Sequence, residues 1–234
     1  MSSTDNLKNN LFIYSVPLGS EASHLAEIYN NEKQNLIYIL PDNNTITEFS
    51  SAIKFFDNKI KIVNLYEWDC QAYDSYGPSR ENQAKRILSL IKLKSYLKNK
   101  NKFITLVTPN TFLQKIQDLT IYNRLKINNN SHMDYNKLIT YLHVNGYEKV
   151  DSVYEVGTYA NRGGIIDVYS PNYKFPLRID FFGDKVDSLR LFNFQNQRTI
   201  KEIDDSIIYP FSEIIFESQI ISNFQKNYIF NFKR

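Results

Sequence analysis

Hydrophobic and polar positions follow two different rhythms along this chain. In the first half, short apolar runs at Leu11 to Val16, Leu36 to Leu40, Ile60 to Leu65 and Phe103 to Val107 alternate with stretches of helical spacing. The helical stretches are Glu21 to Tyr29, Thr45 to Phe56 and Arg80 to Leu97. In the second, Phe49, Ala52, Ile53 and Phe56 fall on one stripe; in the third, Ala84, Ile87, Leu88 and Ile91 do. Thr108-Pro109 reads as an N-cap followed by proline at the first helical position, opening a short helix to Ile116. Continuous apolar runs separated by helices predict buried parallel strands, so residues 11–123 are expected to form an α/β lobe with a parallel sheet covered on both faces. The polar residues 1–10 are expected to be a disordered tail.

The period then changes. Asn128 to Ser131 reads as a linker, Asp134 to Val144 as a helix and Asn145-Gly146 as its C-cap. From Glu155 onward strands alternate with turns at Gly157, Gly163-Gly164, Ser170-Pro171-Asn172 and Gly183-Asp184. This predicts a small, mostly antiparallel α+β domain over residues 124–208. Residues 209–234 are expected to return to the first lobe. Their apolar stripe of Ile221, Phe224 and Tyr228 has no evident partner segment, which suggests an architecture that continues beyond it.

Composition changes this picture little. Of the 234 residues, 42% are hydrophobic and 23% charged, a globular balance with aromatics enough for a sizeable core. A net charge of +3 is not the signature of a dedicated nucleic-acid binder. The single Cys70 cannot form an intramolecular disulfide, no apolar run reaches the roughly 20 residues of a membrane span, and residues 1–10 lack a signal-peptide core. A cytoplasmic location is expected.

Candidate chemistry is sparse. A phosphate-binding loop between the first strand and helix needs exposed backbone N–H groups, a lysine and a magnesium-binding hydroxyl. The stretch here is Pro17-Leu18-Gly19-Ser20-Glu21, without lysine and with Glu21 beside the would-be phosphates. Gly19, Ser20 and Glu21 therefore read as a degenerate, inactive loop, and no nucleotide or other cofactor is expected. His24, His132 and His143 share no metal-ligand spacing with Cys70 or one another. No set of residues assembles a catalytic site. Eight basic residues and one acidic residue lie between Arg80 and Lys102. Lys85, Arg86, Lys92 and Lys94 are candidate nucleic-acid contacts there, against the plainer reading of a solvated helix face.

The strongest local signal is Pro176 to Phe182. Strand alternation puts Leu177, Ile179 and Phe181 on one face and Arg178, Asp180 and Phe182 on the other. An outward Phe beside an Arg combines two residue types enriched at interface hot spots, and Arg162 before Gly163-Gly164 can join the same face. The competing reading pairs Arg178 with Asp180 and tucks Phe182 under a loop; the residues alone do not choose.

The segments Gly146-Tyr147, Val150 to Val153, Glu155 to Gly157, Tyr159 to Val168, Arg178 to Asp184, Val186 to Arg190 and Gln197 to Thr199 closely resemble the bacterial transcription-repair coupling factor family, in its region homologous to the repair helicase subunit UvrB. The preceding lobe matches more loosely, at Trp68-Asp69-Cys70, Tyr73-Asp74, Ser79 and Arg86; the resemblance runs from about Leu11 to Phe211. UvrB itself has an intact phosphate loop and a long aromatic hairpin, where this chain has only Ser75-Tyr76-Gly77-Pro78. The resemblance implies a helicase-like first lobe and a second domain that binds the damage-recognition ATPase UvrA through Arg162, Arg178 and Phe182. In the full-length family other domains engage RNA polymerase and DNA. The expected role is thus a non-catalytic adaptor in transcription-coupled nucleotide excision repair. The alternatives are a nucleic-acid-binding module using residues 80–102, or a non-functional split-gene fragment.

Overall fold

A computed structural model describes residues 16–71, 74–215 and 218–232 of the chain. The expected tail, the first apolar run apart from Val16, and Tyr73 lie outside the described residues.

The first half builds a parallel three-stranded sheet from β1 (Leu36–Ile39), β2 (Ile62–Leu65) and β3 (Ile104–Val107), in the order β1-β3-β2. Both pairings are parallel and in register, Ile104 facing Leu36 on one side and Ile62 on the other. Helices α1 (Leu18–Asn31) and α2 (Asn43–Phe56) cover one face. There Ala22, Leu25, Ile46, Phe49 and Ile53 enclose Ile62, Ile104 and Leu106. The Asp42 side chain caps α2 by accepting from the Thr45 N–H at 2.8 Å. On the other face α3 (Arg80–Lys98) packs Ile87, Leu90 and Ile91 against Leu65 and Val107. This face is covered only in part: Ile37 and Ile39 of edge strand β1 are 60% and 49% exposed. Helix α3 packs on β2 and β3, through Leu65 and Val107, and α4 (Pro109–Leu113) is too short to finish the layer over β1.

The second half is a six-stranded sheet in the order β10-β9-β8-β7-β6-β5. Its strands are β5 (Glu148–Lys149), β6 (Thr158–Arg162), β7 (Ile165–Val168), β8 (Leu177–Phe182), β9 (Lys185–Phe192) and β10 (Thr199–Glu202). All neighbours are antiparallel except β5 and β6. Helix α5 (Tyr135–Val144), capped by Asp134, lays Leu138 and Leu142 on the inner face against Ile166, Val168, Leu177, Ile179 and Leu189. Burying each such side chain contributes about 1.5–3 kcal/mol, so this cluster fixes which face of the sheet points outward. The stretch before the expected linker is itself a strand: β4 (Leu125–Asn128) pairs antiparallel with β11 (Asp205–Ile208). The molecule is a mixed α/β structure with parallel and antiparallel sheets.

After β11 the chain passes back over the parallel-sheet half. Ile215 enters the cluster of Leu65, Ile87 and Leu90, and Tyr122 Oη donates to the Glu213 carbonyl at 2.9 Å. A last helix, α6 (Ser218–Phe232), exposes Ile221 and Phe224. No helix among the described residues is long and apolar enough to cross a membrane.

Candidate partner-binding face

The outward face of the six-stranded sheet is set by alternation along β8. Leu177 and Ile179 are buried and Phe181 packs partly into the core, while Arg178, Asp180 and Phe182 point away. A register shift in the β8–β9 ladder leaves Phe181 opposite Val186 and Phe182 opposite Lys185. Placing the extra residue on β9 keeps the alternation of β8 intact to its end. Phe182 is 82% exposed.

Cross-strand register brings the three candidate residues onto this one face. Arg162 on β6 is opposite Ile165 on β7, and Ile165 is opposite Asp180, which lies between Arg178 and Phe182 on β8. Ile165 is 38% exposed and adds apolar area beside the aromatic ring. The β6–β7 turn depends on Gly163, which has φ +58°, and on Gly164, where a Cβ would sit 2.8 Å from the Phe181 carbonyl oxygen. Only glycine lets the turn lie this close to the strand carrying Phe182.

Both arginines are held from within. Arg178 donates to both carboxylate oxygens of Asp167, from Nε at 2.7 Å and from Nη2 at 2.8 Å, and Nη2 also donates to Gln197 Oε1 at 3.1 Å. Its guanidinium lies over the Phe192 ring, 4.4 Å from the centroid. Hydrogen bonding to Asp167 raises the Arg178 pKa above its usual value, opposed by burial and aided by the charges of Asp167 and Asp180. The partner is thus Asp167 on the neighbouring strand, not Asp180. Asp180 instead accepts from Arg190 Nη2 and from the Ser188 hydroxyl. Arg162 is exposed, and its Nη2 donates at 2.5 Å to the Asp151 carbonyl and at 2.5 Å to Ser152 Oγ. These bonds use Nη2 of Arg162 and Nε and Nη2 of Arg178. The face therefore carries one large exposed ring and, on the same side of the sheet, two pre-oriented guanidinium groups.

Asp167, Gln197 and Phe192, which hold Arg178, were not singled out from the sequence. The hairpin turn at Gly163-Gly164 and the next turn at Ser170-Pro171 set the register that places Asp167 opposite Arg178, so counting residues between those turns would have found it.

The other candidates are scattered. Gly19, Ser20 and Glu21 lie in the first turn of α1, where the Tyr38 hydroxyl donates to the Glu21 carboxylate. Lys85 pairs with Glu81 at 2.8 Å, four residues earlier on the same helix. Lys92 sits over the Tyr96 ring, its pKa lowered by burial and then by Lys54. Lys94 donates to the Thr120 carbonyl at 3.1 Å and the Tyr122 carbonyl at 2.9 Å. Arg86 corrects the expectation of a phosphate contact most sharply, because it is fully buried. It donates to both oxygens of Glu213, at 2.8 and 3.0 Å, and to the Tyr66 carbonyl, under the Trp68 ring. A side chain with no exposed surface cannot meet a phosphate. The four residues do not share a face.

Residues 125–214 match the UvrB interaction domain family. That span contains Arg162, Arg178 and Phe182 and excludes the phosphate-loop and α3 candidates. The chain is 28% identical over 209 residues to the transcription-repair-coupling factor of Escherichia coli (strain K12), covering 88% of this chain and 18% of that protein. Over most of its length the chain is similar to the transcription-repair-coupling factors. Against the Haemophilus influenzae protein of the same name the identity is 26% over 212 residues, 90% of this chain and 18% of the relative. Against that of Myxococcus xanthus it is 38% over 74 residues, 32% of this chain and 6% of the relative. The chain thus spans under a fifth of the length of these relatives.

Proposed function

We propose that this chain acts as a recruitment module in transcription-coupled nucleotide excision repair, binding UvrA through the outward face of its six-stranded sheet. The observation that carries this reading is Phe182, largely exposed on the same face as two arginines oriented from behind, inside the span that matches the UvrB interaction domain. An exposed ring of this size costs solvation and, once covered by a partner, contributes about 1.5–3 kcal/mol. Arg162 and Arg178 supply charge-assisted hydrogen bonds to acidic groups on the partner and fix the docking angle. On this reading the chain itself is not catalytic. RNA polymerase and DNA would be partners of the remaining parts of full-length relatives.

The parallel-sheet half fits a helicase-like lobe whose phosphate loop has lost its chemistry. Supporting this, Gly19-Ser20-Glu21 lacks a lysine and its carboxylate is engaged by Tyr38. Titration calorimetry with ATP and magnesium is expected to give no binding heat.

The decisive experiment is a titration of purified UvrA with the intact chain and with Arg178→Glu/Phe182→Ala. The double variant is expected to bind at least about 100-fold more weakly, the sum of a lost aromatic anchor and a reversed charge. Equal binding by the two proteins rules out this face as the docking site.

A further inference from the structure

The C-terminal half of α3 and the segment Tyr122 to Arg124 enclose a groove lined by Ile91, Lys94, Ser95, Lys98, Asn99, Tyr122, Asn123 and Arg124. We propose that this groove is a binding subsite for a phosphate-type oxyanion, held by Lys94, Lys98 and Arg124. It is separate from the partner-binding face, which lies on β6 to β9.

Three observations carry the proposal. First, three cations line one concavity, and among the described residues none of them is within ion-pair distance of a carboxylate. Cations that merely solvate a helix spread over its convex side; here Lys94 and Lys98, one turn apart, converge with an arginine from another segment. Second, Lys94 is drawn inward rather than to solvent. Two of its ammonium hydrogens are taken by the Thr120 and Tyr122 carbonyls, leaving one donor for a ligand. Burial first, then the charges of Arg124 and Lys98, hold its pKa below the usual range, with only Asp118 acting the other way. The Asp118 carboxylate is itself occupied, accepting from the Thr120 N–H at 2.8 Å. Third, Ser95, Asn99 and Asn123 line the same groove and add neutral hydrogen-bonding groups around the charges. An oxyanion there relieves the mutual repulsion of the three cations and meets donors on several sides. A nucleic-acid backbone phosphate and a small phosphate compound share this chemistry.

The test is calorimetric titration of the intact chain with inorganic pyrophosphate, alongside fluorescence anisotropy with labelled single- and double-stranded oligonucleotides. Lys98→Glu/Arg124→Glu is expected to lose at least about 10-fold in affinity for whichever ligand binds, while Lys201→Glu, on β10, leaves it unchanged. Displacement of oligonucleotide by pyrophosphate, with affinity falling steeply as salt rises, identifies a backbone phosphate as the ligand. Pyrophosphate binding without oligonucleotide binding identifies a small phosphate compound; either result upholds the site. Circular dichroism confirms the fold of the double variant, and Lys98→Gln/Arg124→Gln replaces it should charge reversal unfold the chain. Absence of binding by both ligands, or equal binding by the variants, overturns the proposal.

Discussion

Arg178 and Phe182 stand four residues apart on one strand, yet physical chemistry gives them different work. The arginine already satisfies three donor positions within the fold, so a partner gains orientation from it more than new binding energy. The phenylalanine is almost entirely solvated and gains everything on contact. Asp167 connects the two effects, because it holds the guanidinium over Phe192. Asp167→Ala is expected to destabilise the protein by about 1–3 kcal/mol, as a half-buried cation loses its main partner. It is also expected to weaken UvrA binding without removing any group from the contact surface. Chemical denaturation and the UvrA titration read these outcomes separately. Gly164→Ala tests the turn: its Cβ would press on the Phe181 carbonyl, which is backbone and cannot swing aside. A loss of roughly 1–3 kcal/mol is expected, with UvrA affinity falling as Phe182 shifts. Unchanged melting and binding would show the turn to be more compliant than its geometry suggests.

At the scale of elements, what was legible depended on whether the signal was local. The alternation of Leu177 to Phe182 is a property of one strand, and burial along β8 follows it. The Thr108 cap is equally local, its side chain accepting from the Thr111 N–H three residues on. Strand β4 was hidden because Leu125 to Asn128 is short and its partner β11 lies some 80 residues away. Helix α3 misled for the same reason. Its cationic sequence reads as a solvated face, but Arg86 is buried by Glu213, a residue 127 positions later. Such a pair is expected to cost about 3–5 kcal/mol when only one partner is removed, since an uncompensated charge is left inside. Arg86→Met and Glu213→Leu should each destabilise by that order. The double variant should cost clearly less than the two together, as the apolar pair packs without an orphan charge. Additive losses in a urea-denaturation cycle would mean that Arg86 and Glu213 are not energetically coupled.

At the scale of the molecule, those long-range contacts join the two halves of the chain. Arg80, in the first turn of α3, reaches Glu148 and the Gly157 carbonyl of the antiparallel half, lies 3.3 Å from Glu155 and stacks over Phe211. Gly157, at φ +80°, has no room for a Cβ, which would fall 2.3 Å from the Phe211 ring. Buried Arg86 then ties α3 to the chain leaving the antiparallel half through Glu213. With polar, aromatic and buried ionic contacts all crossing the junction, opening one half alone exposes groups that the other half satisfies. A single cooperative transition is therefore expected. The chain carries its own probe, for the one tryptophan, Trp68, stacks 4.2 Å above the Arg86 guanidinium in the parallel-sheet half. Tryptophan fluorescence reports on that half, while far-UV circular dichroism reports on both. The two melting curves should coincide for the native chain. They should separate in Arg80→Ala/Glu213→Ala, where the ionic ties across the junction are cut. Two transitions in the native chain would instead mean that the junction is too weak to couple the halves, and docking of a partner on the antiparallel sheet would then be blind to the state of the parallel one.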